Sequence, residues 1–225
     1  MKFIFLSALL LATIMMKAQD WPELYRYKDA NEKLGSPKPD EKRVVFMGNS
    51  ITEGWLSFNP SFFTKNGFIN RGISGQTTPQ MLLRFRQDVI ALKPKAVVIL
   101  AGINDIAGNT GSSTLEMIQD NLASMAQLAK ANNIKVVMCS VLPAYDFSWR
   151  PGLEPAEKVV ALNKWIQDYT FKNGYEFVDY HSLMKDTKNG LRSELGEDGV
   201  HPNARGYQIM EAALMPVLQR ALLKD

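Results

Sequence analysis

An α/β fold is predicted for this 225-residue chain, a parallel sheet covered by helices on both faces, and three observations predict it. Short β-rich runs recur at residues 43–47, 67–71, 96–100, 135–141 and 175–178. Helical or loop segments follow each of them, which is the βαβ pattern. The loops after the first, second and third runs, and the one before the last helix, carry polar and glycine-rich clusters, and right-handed crossovers put successive loops of this kind on one edge of the sheet. A composition of 46% hydrophobic and 22% charged residues is enough for one sizeable core, so a single domain is expected over 43–225.

Each element has its own signal. Residues 1–18 open with Lys2 and continue as an apolar run to Met16, shorter than the roughly 20 residues that span a bilayer. They are expected to be a signal peptide cleaved near Ala18, which predicts a secreted or periplasmic protein without a stable membrane anchor. Residues 19–42 mix aromatics with charges and end in Gly35-Ser36-Pro37-Lys38-Pro39, a helical lead-in followed by turns. Thr78 is expected to cap a helix over 80–92, with Pro79 at its first position. Behind Thr114, the residues Leu115, Ile118, Leu122, Met125 and Leu128 recur at helical spacing, as do Val159, Leu162, Ile166 and Tyr169 behind Pro155. The last helix spans about 204–223, with Ile209, Leu214, Val217 and Leu222 facing the core.

Composition excludes several functions. With 26 basic against 23 acidic residues, and Lys2 and Lys17 lost with the leader, no basic patch argues for nucleic acid. Neither Gly-x-Gly-x-x-Gly nor Gly-x-x-x-x-Gly-Lys follows a strand, and no histidine or cysteine cluster suits zinc, so no metal or other cofactor is expected. The single cysteine, Cys139, lies in an apolar run and is expected to be buried and inert.

The chemistry lies in the loops. Asp198-Gly199-Val200-His201-Pro202 supplies an acid and an imidazole three residues apart, and Pro202, suited to a first helical position, places His201 at the mouth of the last helix. Ser50, in Gly48-Asn49-Ser50-Ile51-Thr52, follows an apolar strand and is the candidate nucleophile. Ester hydrolysis by serine needs a base, a carboxylate that orients it, and donors aimed at the developing oxyanion. His201 and Asp198 fit the first two. The main-chain N–H groups of Ser50 and Gly75 and the amide of Asn104 fit the third. Singly, each has a plainer reading: serine as a helix cap, glycine in a turn, Asn104-Asp105 as a turn or cap. Their coincidence in order at successive loops favours the catalytic one. His181, the other histidine, lacks the Asp-x-x-His-Pro context and is expected to be structural.

These motifs make the sequence resemble the SGNH hydrolases, also called GDSL-type esterases and lipases, over residues 43 to about 223. The four invariant positions of that family fall on Ser50, Gly75, Asn104 and His201, with Asp198 as the third triad member. Asn49 departs from the name-giving Gly-Asp-Ser but leaves the nucleophile intact. The resemblance implies a three-layer α/β/α domain with a five-stranded parallel sheet, similar to flavodoxin-like folds. The α/β-hydrolase pattern does not apply, since Gly-x-Ser-x-Gly would need glycine where Thr52 stands.

The expected function is therefore a secreted serine esterase acting on short acyl esters, with O-acetyl groups on carbohydrate as the leading substrate, whether small molecule or oligosaccharide. The same resemblance also admits lysophospholipase, thioesterase and arylesterase activities. A different class, a catalytically inactive glycan-binding protein, is disfavoured by the intact Ser50, Asn104, Asp198 and His201. Residues 143–151 hold Tyr145, Phe147 and Trp149 at alternate positions between prolines. Tyr145 and Trp149 are candidate substrate-binding residues, although the loop's aromatics could equally anchor it on the core. Phe58, Phe62 and Phe63 are further candidates for the cleft.

Overall fold

The computed structural model describes residues 20–223. The expected leader lies outside the described residues. Five strands, β1 (Val44–Gly48), β2 (Phe68–Gly72), β3 (Ala96–Leu100), β4 (Lys135–Cys139) and β5 (Glu176–Val178), form one parallel sheet in the order β2-β1-β3-β4-β5. The helices in chain order are α1 (Lys28–Leu34), α2 (Ser50–Phe58), α3 (Pro60–Asn66), α4 (Thr78–Asp88), α5 (Ile103–Ile106), α6 (Leu115–Ala131), α7 (Ala156–Asn173), α8 (Tyr180–Met184) and α9 (Ala204–Leu223).

The central strands are buried on both faces, which is why their sequences read as apolar from end to end. Alternation along each strand divides them between two cores. Val45, Met47, Val97, Ile99, Val136 and Met138 point toward α4, α6 and α7. Val44, Phe46, Val98, Leu100, Val137 and Cys139 point toward α2, α3 and α9. The expected stripes serve these cores: Ile118, Leu122 and Met125 of α6 and Val159, Leu162 and Ile166 of α7 are buried, while Leu115, Leu128 and Tyr169 pack at the margin. On α9, Leu214 and Val217 are buried and Ile209 and Leu222 are partly so.

Four local expectations need correction. The helix expected over 80–92 is shorter and starts earlier: α4 ends at Asp88, and a 3₁₀ turn, Ile90–Leu92, follows. Its cap is Thr77, reciprocated by Gln80 in a capping box, whereas Thr78 is already helical. Pro202 is not the first residue of α9, because Asn203 caps that helix by accepting from the N–H groups of Arg205 and Gly206. Phe62 belongs to the core and not to the cleft, and Phe63 borders the groove beside Ser50 only from its core side. They are 7% and 2% exposed, packed with Phe46 and Trp55, where burying each phenyl stabilises by about 1.5–3 kcal/mol over exposing it.

The sheet sets the height of the site. Gly48 pairs with Gly72 on one side and Leu100 on the other, so β1, β2 and β3 end level and their loops emerge together. The strand order changes direction at β1 and β3, the switch point at which open α/β sheets form their crevice. A Cβ on Gly72 would lie 2.2 Å from the backbone nitrogen of Glu53, so only glycine lets α2 lie across the end of β2. Among the described residues no helix is long and apolar enough to cross a membrane.

Candidate active site

Ser50 is the first residue of α2, and the preceding Asn49 is its cap, accepting from Ile51 N at 3.1 Å. Asparagine thus fills the capping place that aspartate would otherwise take. The serine side chain meets the far end of the chain: Ser50 Oγ lies 2.9 Å from His201 Nε2, and His201 Nδ1 lies 2.6 Å from Asp198 Oδ2. The other carboxylate oxygen of Asp198 accepts from the main-chain N–H groups of Val200 at 3.0 Å and His201 at 2.8 Å. Burial works to raise the Asp198 carboxyl, but its hydrogen bonds from His201 and Val200 outweigh that and hold it below the usual aspartate range. Asp198 and His201 are each more than a third exposed, so the relay opens to solvent.

Two side chains of α9, the helix that His201 precedes, bond to α2 and its C-terminal cap. Tyr207 Oη donates to Ile51 O at 2.8 Å, and Glu211 accepts from Trp55 Nε1 at 2.9 Å and from Asn59 Nδ2. The distance between serine and imidazole is therefore fixed by helix packing as well as by their own bond.

Gly75 follows β2 in a left-handed conformation, φ 78°, and its carbonyl accepts from Asn109 Nδ2 at 3.1 Å. Open space surrounds the position where a Cβ would stand, so the requirement for glycine there is conformational. Asn104 is buried in α5, and its Nδ2 donates one of its two hydrogens to Gln76 O at 2.9 Å. The next residue, Asp105, accepts from Thr78 N at 3.0 Å and from Thr78 Oγ1 at 2.6 Å. Burial pushes its carboxyl up to about 6 against those bonds. From the sequence Asp105 reads as a turn or cap residue, and no local pattern announces that the helix start it bonds is that of α4.

The aromatic loop divides its labour. Phe147 is buried and anchors it on the core, while Trp149 is 46% exposed with its ring centroid 6.1 Å from that of His201. Arg150 Nη1 donates to Ala107 O at 2.6 Å, and Asp146 accepts from the N–H groups of Phe147, Gly152 and Leu153, so the loop is held at both ends. Tyr145, 50% exposed, packs beside Gly190 and under the Lys188 ammonium. Phe58 is exposed and lies on Tyr207.

His181 is buried, its Nε2 has no hydrogen-bond partner, and burial lowers its pKa. Cys139 is buried and its thiol is pushed up to about 12, as an inert core residue should be. Among the described residues, no three histidine, cysteine, aspartate or glutamate side chains group as metal ligands. A groove of about 890 Å³ adjoins Ser50 and Ser74 and is lined by Tyr27, Glu53, Gly54 and β2. A comparable hollow of about 800 Å³ lies at the opposite end of the sheet among Lys42, Lys95, Lys130 and Lys135, and none of the site residues lines it.

Comparison with known proteins matches residues 46–209 to the model of the GDSL-like lipase/acylhydrolase family. The crystal structure of a GDSL-like lipase from Bacteroides thetaiotaomicron is 50% identical with a TM-score of 0.87, covering 89% of this chain and 98% of that one. Esterase TesA of Pseudomonas aeruginosa is 33% identical over 181 residues, 78% of this chain and 83% of the esterase. An acetylxylan esterase of Xylanibacter ruminicola is 27% identical over 216 residues, 79% of this chain. The chain spans only 43% of that enzyme's length.

Proposed function

The chain belongs to the GDSL-like lipase/acylhydrolase family, and from that premise we propose that it is an exported serine esterase that removes short acyl groups, foremost acetyl, from carbohydrate. The observation that carries this reading is the continuous relay from Ser50 Oγ through the His201 ring to Asp198, at 2.9 and 2.6 Å. Ser50 Oγ attacks the ester carbonyl while His201 Nε2 takes its proton. Asp198 holds the Nδ1 tautomer and stabilises the imidazolium that forms. The C–O bond then breaks, and the leaving alcohol takes the proton from His201. Water, deprotonated by the same imidazole, releases the acid and restores the serine.

The tetrahedral oxyanion is received by the N–H groups of Ser50 and Gly75 and by the second hydrogen of Asn104 Nδ2. Asn104→Ala is expected to lower kcat by roughly 10²–10³ with a much smaller change in KM, the signature of a donor used in the transition state. Steady-state kinetics on an aryl acetate measures the split. A change confined to KM would make Asn104 a substrate-binding residue.

Support for a sugar ester comes from Trp149, whose exposed ring is held beside His201 and offers a flat apolar face of the kind that stacks on pyranose rings. The acetylxylan esterase relative points the same way. The leader supports export. The test is kcat/KM for acetyl, butyryl and octanoyl aryl esters and for acetylated xylo-oligosaccharides, in the native protein and in Trp149→Ala. Acetyl is expected to be preferred, and the tryptophan variant to lose several-fold more on the oligosaccharide than on aryl acetate. A preference that rises with chain length would favour a lipid acylhydrolase.

A further inference from the structure

Two residues with no part in the reaction above hold the loops of the site together. Arg84 of α4 is fully buried, and its charge is met by Asp88, also fully buried, at 3.0 Å. That pair alone neutralises the guanidinium. Its remaining bonds go to two different segments of the site: Nη2 donates to Gly48 O at 3.1 Å, at the end of β1 and two residues before Ser50, and Nε donates to Gln76 Oε1 at 2.6 Å, one residue after Gly75. Gln76 continues the connection, since its main-chain carbonyl is the acceptor for Asn104 Nδ2 at 2.9 Å. Its side-chain nitrogen donates to Pro22 O at 2.9 Å, in the segment that leads into the domain.

The same segment is fastened at several further points. Gln80 donates to Trp21 O at 2.7 Å, Gln87 to Leu24 O at 2.5 Å, and Tyr27 Oη to Gly72 O. Asn31 of α1 donates to Asp88 Oδ1 at 2.7 Å and accepts from Arg71 Nε at 2.8 Å, which joins the far side of the Arg84–Asp88 pair to β2.

We propose, resting on the esterase reading above, that Gln76 and Arg84 are positioning residues: they set the spacing between the Ser50 loop and the Gly75 and Asn104 donors, and residues 20–34 close this bracket from outside. The physical argument is geometric. A guanidinium presents its donors in a rigid fork, so one group bonded to both segments fixes their separation in a way that a flexible ammonium cannot. The donors must meet an oxyanion, a charge and a position that the carbonyl oxygen takes up only during the reaction. A displacement of about 1 Å at such a place costs about 10²-fold in rate while leaving substrate binding nearly untouched.

The test uses Gln76→Leu, which removes no charge, and Arg84→Lys, which keeps the charge but not the fork. Ser50→Ala is measured beside them. Circular dichroism and thermal unfolding establish that each variant folds, and reaction with an aryl phosphonate counts the competent serines. In folded Gln76→Leu, kcat on an aryl acetate is expected to fall by about 10–100-fold with KM within about twofold, and the phosphonate inactivation rate to fall in parallel. A folded Arg84→Lys should change in the same direction. Should it fail to fold, Gln76→Leu decides alone. Turnover by Gln76→Leu within about twofold of the native kcat, or an effect on KM only, while Ser50→Ala is inactive, overturns the bracket and leaves the esterase reading standing. Native activity in folded Ser50→Ala overturns the esterase reading itself.

Discussion

Replacing Ser50 with alanine is expected to abolish ester turnover in a protein that still folds. The two halves of that statement have separate causes. The fold survives because Ser50 is not the cap of α2: Asn49 takes the Ile51 N–H, and the buried face of the helix is built from Ile51, Thr52 and Trp55. Losing Oγ removes one side-chain hydrogen bond, to a partly exposed imidazole, for about 0.5–1.5 kcal/mol. Turnover is lost because, among the described residues, Ser50 Oγ is the hydroxyl bonded to His201 Nε2, at 2.9 Å. In a triad hydrolase the missing nucleophile costs about 10⁶ in kcat, and only the residual effect of oxyanion donors remains. The measurement is kcat on an aryl acetate, with circular dichroism on the same sample. Mass spectrometry of the native protein after phosphonate treatment should find the adduct on the peptide containing Ser50. Full activity in the folded variant, or an adduct elsewhere, would move the nucleophile.

What could be read in the sequence follows from how local each cause is. The strands were legible because burial on both faces leaves a run such as Val44-Val45-Phe46-Met47 no polar side, and a run of that kind needs no knowledge of its neighbours. Ser50, Asp198 and His201 could be picked out because their motifs, each with a plainer reading alone, fall in order at successive loops, and the structure brings the three side chains into one hydrogen-bonded line. The corrections concern choices made by distant residues. Thr77 and Thr78 are equally good caps by type, and Asp105, across the sheet edge, settles the matter by taking the Thr78 N–H. Phe62 and Phe63 follow the nucleophile in sequence, yet Phe46 and Trp55 draw them into the core. Arg84 and Asp88 are a visible i,i+4 pair. Such pairs usually lie on a solvated face, and nothing local says that this one is buried beneath Gly48 and Gln76.

Among the two histidines, His201→Ala is expected to be as damaging as loss of the serine, and His181→Ala to retain turnover near the native level. Their surroundings dictate the difference. His201 touches the nucleophile with Nε2 and the acid with Nδ1, and lies open to the cleft. His181 is buried with its Nε2 unpartnered, and burial favours its neutral form, so its removal leaves a cavity and lowers the melting temperature without touching the reaction. Asp198→Asn separates the acid's two tasks. The amide keeps an oxygen for the N–H groups of Val200 and His201, so the turn that presents the imidazole persists. Its NH₂ then faces Nδ1 and selects the wrong tautomer, for a loss of about 10⁴ in kcat with little change in stability. Kinetics and thermal unfolding of the three variants measure all of this. If His181→Ala were inactive and His201→Ala active, the base would have to be sought in α8, and the Asp198–His201 pair would be a loop contact and nothing more.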